Sequence, residues 1–279
     1  MRESTRIRLF FLAMMLFNMG ANFAHPITPT VIQNLGLNDY MFGVAYAAMA
    51  FTNFLFSPFW GKLNGYLSSR RTMLIGGVGY GVGQICFCLA RTEGWIILAR
   101  FVSGAFSGGV FVSFLTYIVN TSDEKKRAGH LIASATIQSV FSAFGYLIGG
   151  LLGEISTDLT FGIQAAVLAG SGLMLRAVCR DDTQKSLKET TPARLCAEAN
   201  PFQVFFASRR YMTVLLASML AVNALSNIGF TAYEQCFNYY IKDQFAMTSA
   251  YNGAIKAGVG FITLAANSTI CVWIVSRKD

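Results

Sequence analysis

The sequence predicts an all-α integral membrane protein. Hydrophobic residues make up 54% of the 279 residues, charged residues make up only 13%, and the mean hydropathy is +0.47. A soluble domain carries about twice that charged share, because its surface must be solvated. A disordered chain is excluded as well, since its apolar content would be far lower.

Eight stretches free of Asp, Glu, Lys and Arg divide the chain, and each is long enough to cross a bilayer. A transmembrane helix needs about 17–25 apolar residues at a rise of about 1.5 Å per residue. We therefore predict eight spans, which in chain order are Leu9–Asn38, Tyr40–Gly61, Thr72–Ala90, Phe101–Ser122, Ala128–Gly153, Leu159–Leu175, Tyr211–Tyr233 and Ala257–Ser276. The first is too long for the apolar region of a signal peptide, so we expect a retained helix.

The basic residues indicate how these spans are oriented. Eighteen Lys and Arg residues lie at the two termini and in every second loop, whereas the loops on the opposite side hold only Arg91 and Lys242. Positive residues concentrate in the cytoplasmic loops of membrane proteins. We therefore expect a multi-pass protein of the cell membrane with both termini in the cytoplasm. The net charge of +8 reflects this topology rather than a nucleic-acid partner.

One long polar segment separates the first six spans from the last two. Residues 176–210 contain seven Lys or Arg and four Asp or Glu residues. A shift of 210 residues aligns Gly43 and Phe51 in span two with Gly253 and Phe261 in span eight, and such parallel repeats are typical of transporters built from two halves. The sequence thus predicts a six-helix bundle at 1–175, a cytoplasmic central loop at 176–210 and two helices of a second bundle at 211–279. Four further spans would then be absent, as expected for a truncated chain.

Three short motifs occur at regular places in this pattern. The loop between spans two and three reads PFWGKLNGYLSSRR, and its motif positions are Pro58, Gly61, Leu63, Arg70 and Arg71. Arg100 lies at the start of span four, directly before its charge-free stretch, and Gly104 follows four residues later. Span five reads GYLIGG, with its glycines at Gly145, Gly149 and Gly150.

These motifs resemble those of the major facilitator superfamily, the twelve-helix secondary transporters. The loop is similar to the family's signature between helices two and three, span four to its Arg-x-x-x-Gly motif, and span five to the Gly-Pro-x-x-Gly-Gly motif of exporters. Three positions depart from the family pattern: Gly65 replaces an acidic residue, Ser68 replaces a glycine, and Tyr146 replaces a proline. The resemblance implies a facilitator-like helical bundle in which these motif residues take part in conformational switching.

Charged residues within or beside the predicted spans are candidates for a transport pathway. A guanidinium in hydrocarbon costs at least about 2.5–3.5 kcal/mol, so Arg100 should face a polar cavity or reach the outer interface. Facing a cavity, it would bind an anionic group or influence proton movement. Lys256 lies in the region of span eight, and Glu234 is its expected partner, either in a structural ion pair or in a gate.

Amide and imidazole side chains mark a further candidate pathway. Asn18, Asn22 and His25 follow one face of a helix at i, i+4 and i+7, and Asn223 and Asn227 form a similar pair in span seven. Two such stripes would line a site at the middle of the membrane. The alternative is hydrogen bonding between packed helices, which suits the same residues. Gln138 in span five is a further candidate.

The chemistry of the chain favours transport over catalysis. The spans contain no nucleophile–base pair, paired carboxylates or metal-ligand spacing, so we expect no enzyme activity, cofactor or metal. The resemblance implies secondary active transport of a small organic solute by alternating access, with the lipid bilayer, the solute and H⁺ as partners. Proton-coupled efflux of a drug or metabolite is the first hypothesis. The alternatives are a permease for uptake of a sugar or metabolite, and a fragment that transports nothing.

Overall fold

The fold is built from helices. The computed structural model describes residues 3–185, 190–200, 202, 206, 209–266 and 269–270, and the chain forms no β-strand in those ranges. Their helices are α1 (Glu3–Ala21), α2 (Thr28–Asn34), α3 (Met41–Leu67), α4 (Ser69–Leu89), α5 (Glu93–Thr121), α6 (Glu124–Ile155), α7 (Thr157–Val178), α8 (Pro192–Glu198), α9 (Val214–Phe245) and α10 (Ser249–Ala266). A short 3₁₀ turn at Arg209–Tyr211 precedes α9.

The all-α membrane fold predicted from the sequence is confirmed. Within the described ranges, six helices are long and apolar enough to cross a membrane, namely α3 to α7 and α9. They coincide with predicted spans two to seven. The first and eighth predicted spans correspond to α1 and α10, and most of the eighth span beyond Ala266 lies outside the described residues.

The first predicted span does not form one continuous helix. α1 ends at Ala21, residues 22–27 form turns, and the separate short helix α2 begins at Thr28. Pro26 and Pro29 explain the break, because proline lacks a backbone N–H and its ring clashes with the carbonyl four residues earlier. The broken backbone places His25 in a turn between two helices.

Several other helices extend past the charge-free stretches that predicted them. α9 continues twelve residues beyond Tyr233 to Phe245, and α10 starts at Ser249, eight residues before the predicted span. The predicted boundaries were wrong at these ends because a charged residue does not stop a helix when it is paired or lies near the membrane surface. Glu234 and Lys256 thereby fall inside helices.

The helices pack around aromatic clusters. α4 lies between α5 and α7, α3 packs on α5, α1 packs on α6 and α7, and α10 packs on α6. One cluster joins Phe10 and Phe17 of α1 to Phe114 of α5, with ring centroids of Phe17 and Phe114 5.6 Å apart. A second cluster, at the end that carries α2, contains Phe87 and Phe161 in edge contact.

The start of the central segment is docked onto the junction between α3 and α4. The carboxylate of Asp182 accepts hydrogen bonds from the backbone N–H of Ser69 at 2.7 Å and from its hydroxyl at 2.6 Å. Asp181 forms a 2.5 Å ion pair with Arg70. Hydrogen bonds from Thr183 and the nearby Arg70 guanidinium hold the pKa of Asp181 below its ordinary value. Two carboxylates therefore lie at the N-terminus of α4, where the helix dipole favours negative charge.

A strained residue connects α3 to α4. Ser68 has a φ of 64° and a ψ of 143°, a backbone region that L-residues with a Cβ rarely adopt. Its hydroxyl is buried without a hydrogen-bond partner. Serine in place of the family's glycine at position 68 therefore introduces both backbone strain and an unsatisfied hydroxyl group.

Replacing Ser68 with glycine should stabilise the protein. The Ser68→Gly change would remove the strain and the unpaired hydroxyl, and the greater chain entropy of glycine in the unfolded state would offset part of that gain, leaving a net stabilisation of about 1 kcal/mol. Thermal unfolding of the purified protein measures the change. Ser68→Ala, which removes the hydroxyl and keeps the strain, is the matched control and should gain less. Equal melting temperatures for Ser68→Gly and the parent would contradict this account.

Candidate functional site

An aromatic and basic cluster surrounds the break between α1 and α2. The ring of His25 stacks on Tyr146 of α6, with centroids 5.4 Å apart and planes 11° from parallel. Tyr46 of α3 approaches the same imidazole, with centroids 6.3 Å apart. Tyr146 stands where the family motif has a proline. The stacking contact requires its aromatic ring, which a proline would not supply. We call His25, Tyr46, Arg100, Tyr146, Glu234 and Lys256 the central cluster.

Arg100 of α5 is buried beside this turn. It is only 4% exposed, and its Nη2 donates to the hydroxyl of Thr28 at 3.0 Å. The guanidinium lies over the ring of Phe87 at 4.1 Å from the centroid, and its Nη1 contacts the sulfur of Met49. The buried Nε has no hydrogen-bond partner. Arg100 thus faces the protein interior rather than the outer interface.

An ion pair joins α9 to α10 at the other side of the cluster. Lys256 Nζ donates to Glu234 Oε1 at 2.7 Å, and both side chains are mostly buried, at 12% and 20% exposure. The same ammonium lies 5.6 Å from the centroid of Tyr146. Tyr146 therefore contacts two of the basic side chains and links the first bundle to the last two helices.

Glycines of α6 allow the backbones that form the cluster to approach closely. A Cβ at Gly145 would lie under 3 Å from the carbonyl oxygen of Met19, and one at Gly149 would meet that of Phe23. On the opposite face, Gly150 lies against the backbone of Ser249, and Gly253 of α10 lies against that of Tyr146. Small residues at membrane helix contacts permit this approach.

The other motif residues occupy helix contacts and the α3–α4 junction. Gly104 brings α5 against the Met49 carbonyl of α3, and Gly61 of α3 faces Val112 of α5 at a distance of 3.8 Å from an added Cβ. Leu63 is buried on α3. Arg70 binds Asp181, as described above, while Arg71 is exposed.

The predicted amides of α1 and the following turn bond within the first bundle. Asn18 donates to the carbonyl of Met14, and Asn22 donates to the carbonyl of Asn18. Asn22 also donates to the hydroxyl of Ser142 on α6 at 3.0 Å. Only the Asn22–Ser142 bond joins two helices, as in the alternative that the sequence left open, and the other two bonds are local ones to carbonyls of α1.

The structure does not bring the two amide stripes together. Asn223 and Asn227 hydrogen-bond to each other on an exposed part of α9. The stripes therefore do not contact one another in this conformation. Gln138 is exposed on α6.

Several residues near the site carried no clear signal in the sequence. Thr28 orients the guanidinium, and Tyr46 contacts His25. Asn238 and Asn252 are 1% and 4% exposed and line a small cavity with Pro26. The hydrogen bond of Thr28 to Arg100 depends on the break in span one, which begins a new helix at Thr28. Asn238 could have been found only by extending α9 beyond the charge at Glu234.

The sequence of the chain matches one known protein family over almost its whole length. The sequence profile of the Major Facilitator Superfamily matches residues 10–278. The quinolone resistance protein NorA of Staphylococcus aureus (strain MRSA252) is 26% identical over 239 residues, which cover 84% of this chain and 60% of that protein. The tetracycline resistance protein, class B, of Escherichia coli is 24% identical over 267 residues, covering 94% and 64%. The chain thus spans about three fifths of the length of these relatives.

A solved structure has the same fold. The crystal structure of the human organic anion transporter MFSD10 (TETRAN) superimposes with a TM-score of 0.70 at 16% identity, covering 95% of this chain and 71% of that one. At this level of identity the likeness establishes the shared helical arrangement only.

The close approach at Gly149 can be tested by substitution. Gly149→Ala would place a methyl group against the backbone of Phe23, so α6 would have to move away from the turn that holds His25. We expect a loss of about 1–3 kcal/mol of stability, measured by thermal unfolding. Gly162→Ala on α7 is the matched control, because nothing lies within 4 Å of its added Cβ. A change of the same size in both variants would show that helix propensity, not the contact, is responsible.

Proposed function

Because the chain belongs to the Major Facilitator Superfamily, we propose that it carries a small organic solute out of the cell in exchange for protons. The two curated relatives described above are resistance proteins for quinolones and tetracycline, which favours efflux over uptake. Members of the family are transporters, not enzymes, and the chain itself is a multi-pass membrane protein, since the six long apolar helices accompany the family match.

The central cluster is the observation on which this proposal depends. It joins the α1–α2 turn, α3, α5, α6, α9 and α10 through side chains that are polar or aromatic. Polar and ionisable residues inside a membrane are costly, so they mark pathways for substrates or ions. The cluster is therefore the candidate site at which the solute binds between the two bundles.

The conformation is closed at the end of the molecule that carries α2. The hydroxyls of Thr30 and Ser249 lie 3.3 Å apart, and the ring centroids of Phe42 and Tyr239 are separated by 6.1 Å. The backbone contact of Gly150 with Ser249 lies at the same end. Alternating access requires such contacts to separate, so this end would open when solute is released.

The Glu234–Lys256 pair is the best candidate for coupling to protons. Protonation of Glu234 would remove the charge that neutralises Lys256 and would weaken the bond between α9 and α10. A proton entering from the outer side could thus favour one conformation over the other, which is the differential binding that coupling requires. His25, which stacks on the ring of Tyr146, is a further candidate residue of the pathway.

The proposed orientation places both termini and the central segment in the cytoplasm. In this arrangement the end with α2 faces outward and the Arg70–Asp181 pair faces the cytoplasm. The distribution of Lys and Arg residues supports it.

Substituting Glu234 with glutamine should abolish the effect of a pH gradient on transport. Glutamine keeps a hydrogen-bond acceptor for Lys256 but cannot take up a proton, so gradient-driven efflux should fall at least about tenfold, the loss of a general proton-transfer group. The measurement is uptake of a cationic dye, ethidium, and of an anionic dye, fluorescein, into inverted membrane vesicles, with the interior acidic and with the gradient dissipated.

Glu93→Gln is the control, because the described hydrogen bonds of Glu93 are exposed ones with the side chains of Asn38 and Tyr40. It should transport like the parent. Dependence on the gradient that persists in Glu234→Gln would remove Glu234 from the coupling mechanism. Absence of gradient-driven transport of both dyes in the parent protein would refute the efflux proposal itself.

Cysteine labelling tests the orientation. In a background without the six native cysteines, a cysteine at Asp123 should be protected from a membrane-impermeant maleimide added to intact cells, and one at Asp39 should react. Both positions are exposed in the structure, so access to the reagent depends on the side of the membrane. The reverse pattern would overturn the proposed threading.

A further inference from the structure

Arg100 is a buried cation to which the described residues supply no negative partner. Its side chain is 4% exposed, and the described ion pairs of the protein do not include it. A guanidinium carries five N–H donors. Nη2 donates to the Thr28 hydroxyl, Nη1 reaches only the weak acceptor sulfur of Met49, and Nε has no partner. A charged group in this position lacks the neutralisation that buried charges normally have.

The surroundings of Arg100 do not neutralise its charge. Glu234 is the acidic residue of the central cluster, and Lys256 already binds it at 2.7 Å. His25 and Lys256 both lie against the ring of Tyr146. The cluster as described therefore carries one uncompensated positive charge, located on Arg100.

The cavity beside Arg100 is aromatic. Its lining is formed by His25, Thr28, Phe42, Tyr46, Met49 and Arg100. In this closed conformation it has a volume of about 10 Å³, room for no more than a water molecule. Phe87 covers the opposite face of the guanidinium. A ligand that enters when the cavity widens would meet aromatic rings along its body and the free donors of Arg100 at its end.

We infer that Arg100 binds the acidic group of the solute and that the transported solutes are small aromatic acids. A carboxylate or sulfonate accepts two parallel N–H bonds from a guanidinium, which would satisfy Nε together with a neighbouring Nη. The aromatic rings of the lining would pack against the rest of the solute. This inference rests on the proposed transport function, since it assigns the class of solute to the same site.

Paired ligands that differ only in charge test this assignment. Benzenesulfonate is an anion at neutral pH, and benzenesulfonamide has nearly the same shape without the charge. We expect the protein in lipid nanodiscs to bind benzenesulfonate at least about tenfold more tightly than benzenesulfonamide, measured by isothermal titration calorimetry. Equal affinity for the two compounds would overturn the inference.

Two variants locate the effect. Arg100→Gln should lower the affinity for benzenesulfonate to that for benzenesulfonamide. Arg91→Gln is the matched control, because Arg91 is exposed and donates only to the carbonyls of Cys88 and Ala90 among its described contacts. Circular dichroism establishes that both variants fold. Selective binding retained by a folded Arg100→Gln protein would refute the role of Arg100. If that variant fails to fold, the relative affinities of the parent protein for the two ligands still test whether the site prefers an anion.

Chloride separates an organic acid from a simple inorganic ion. The affinity for benzenesulfonate is measured in a buffer with excess chloride and in one where gluconate replaces the chloride. Equal affinities in the two buffers support an aromatic acid as the ligand. Displacement by chloride at equal concentration would mean that the site holds a halide, and would overturn the assignment of solute class.

Vesicle transport distinguishes a failure of this inference from a failure of the proposed function. Gradient-driven transport of benzenesulfonate but not benzenesulfonamide supports both. Transport of the two compounds at equal rates would refute the preference for acids and leave efflux standing. Arg100-dependent binding without any transport would refute efflux while the anion site remained supported.

Discussion

The close backbone contacts of α6 with α1 and α10 are the constraint on which the arrangement depends. Lipid tails are as apolar as the side chains they touch, so membrane helices associate through packing and hydrogen bonding instead of through exclusion of water. Gly145 and Gly149 bring the turn after α1 against one face of α6, and Gly150 with Gly253 brings α10 against another. Tyr146 lies between these contacts, and its ring meets both His25 and Lys256.

Charge inside the protein follows from the same geometry. The contact between α9 and α10 places Lys256 beside Glu234, where each neutralises the other. Arg100, on a helix packed against α3 and α4, comes close to polar and aromatic groups but not to a described carboxylate. The proposed proton coupling therefore concerns a neutralised pair, and the proposed anion binding concerns a cation without a described counter-charge.

A different arrangement of carboxylates supports the junction of α3 and α4. The family pattern expects an acidic residue at position 65, where this chain has glycine. Asp181 and Asp182 come instead from the segment after α7 and bind Arg70 and Ser69. The backbone carbonyl of Gly65 accepts hydrogen bonds from Gln184 and Lys185, so the loop and the segment are fixed to each other. Asp181 and Asp182 therefore supply negative charge at this junction in place of the acidic residue expected at position 65.

The sequence by itself determined the solvent of the protein, the number of its long apolar segments and the motifs that identify its family. Composition and the spacing of charges are sufficient for this, because a helix in lipid must satisfy its backbone internally and exclude unpaired charge. The two prolines near residue 28 are also sufficient to predict a break in the first span. The tertiary structure decided which polar groups meet. The stacking of His25 on Tyr146 and the pairing of Thr28 with Arg100 depend on contacts between residues far apart in the chain. Such contacts are fixed by helix packing, which local composition does not encode.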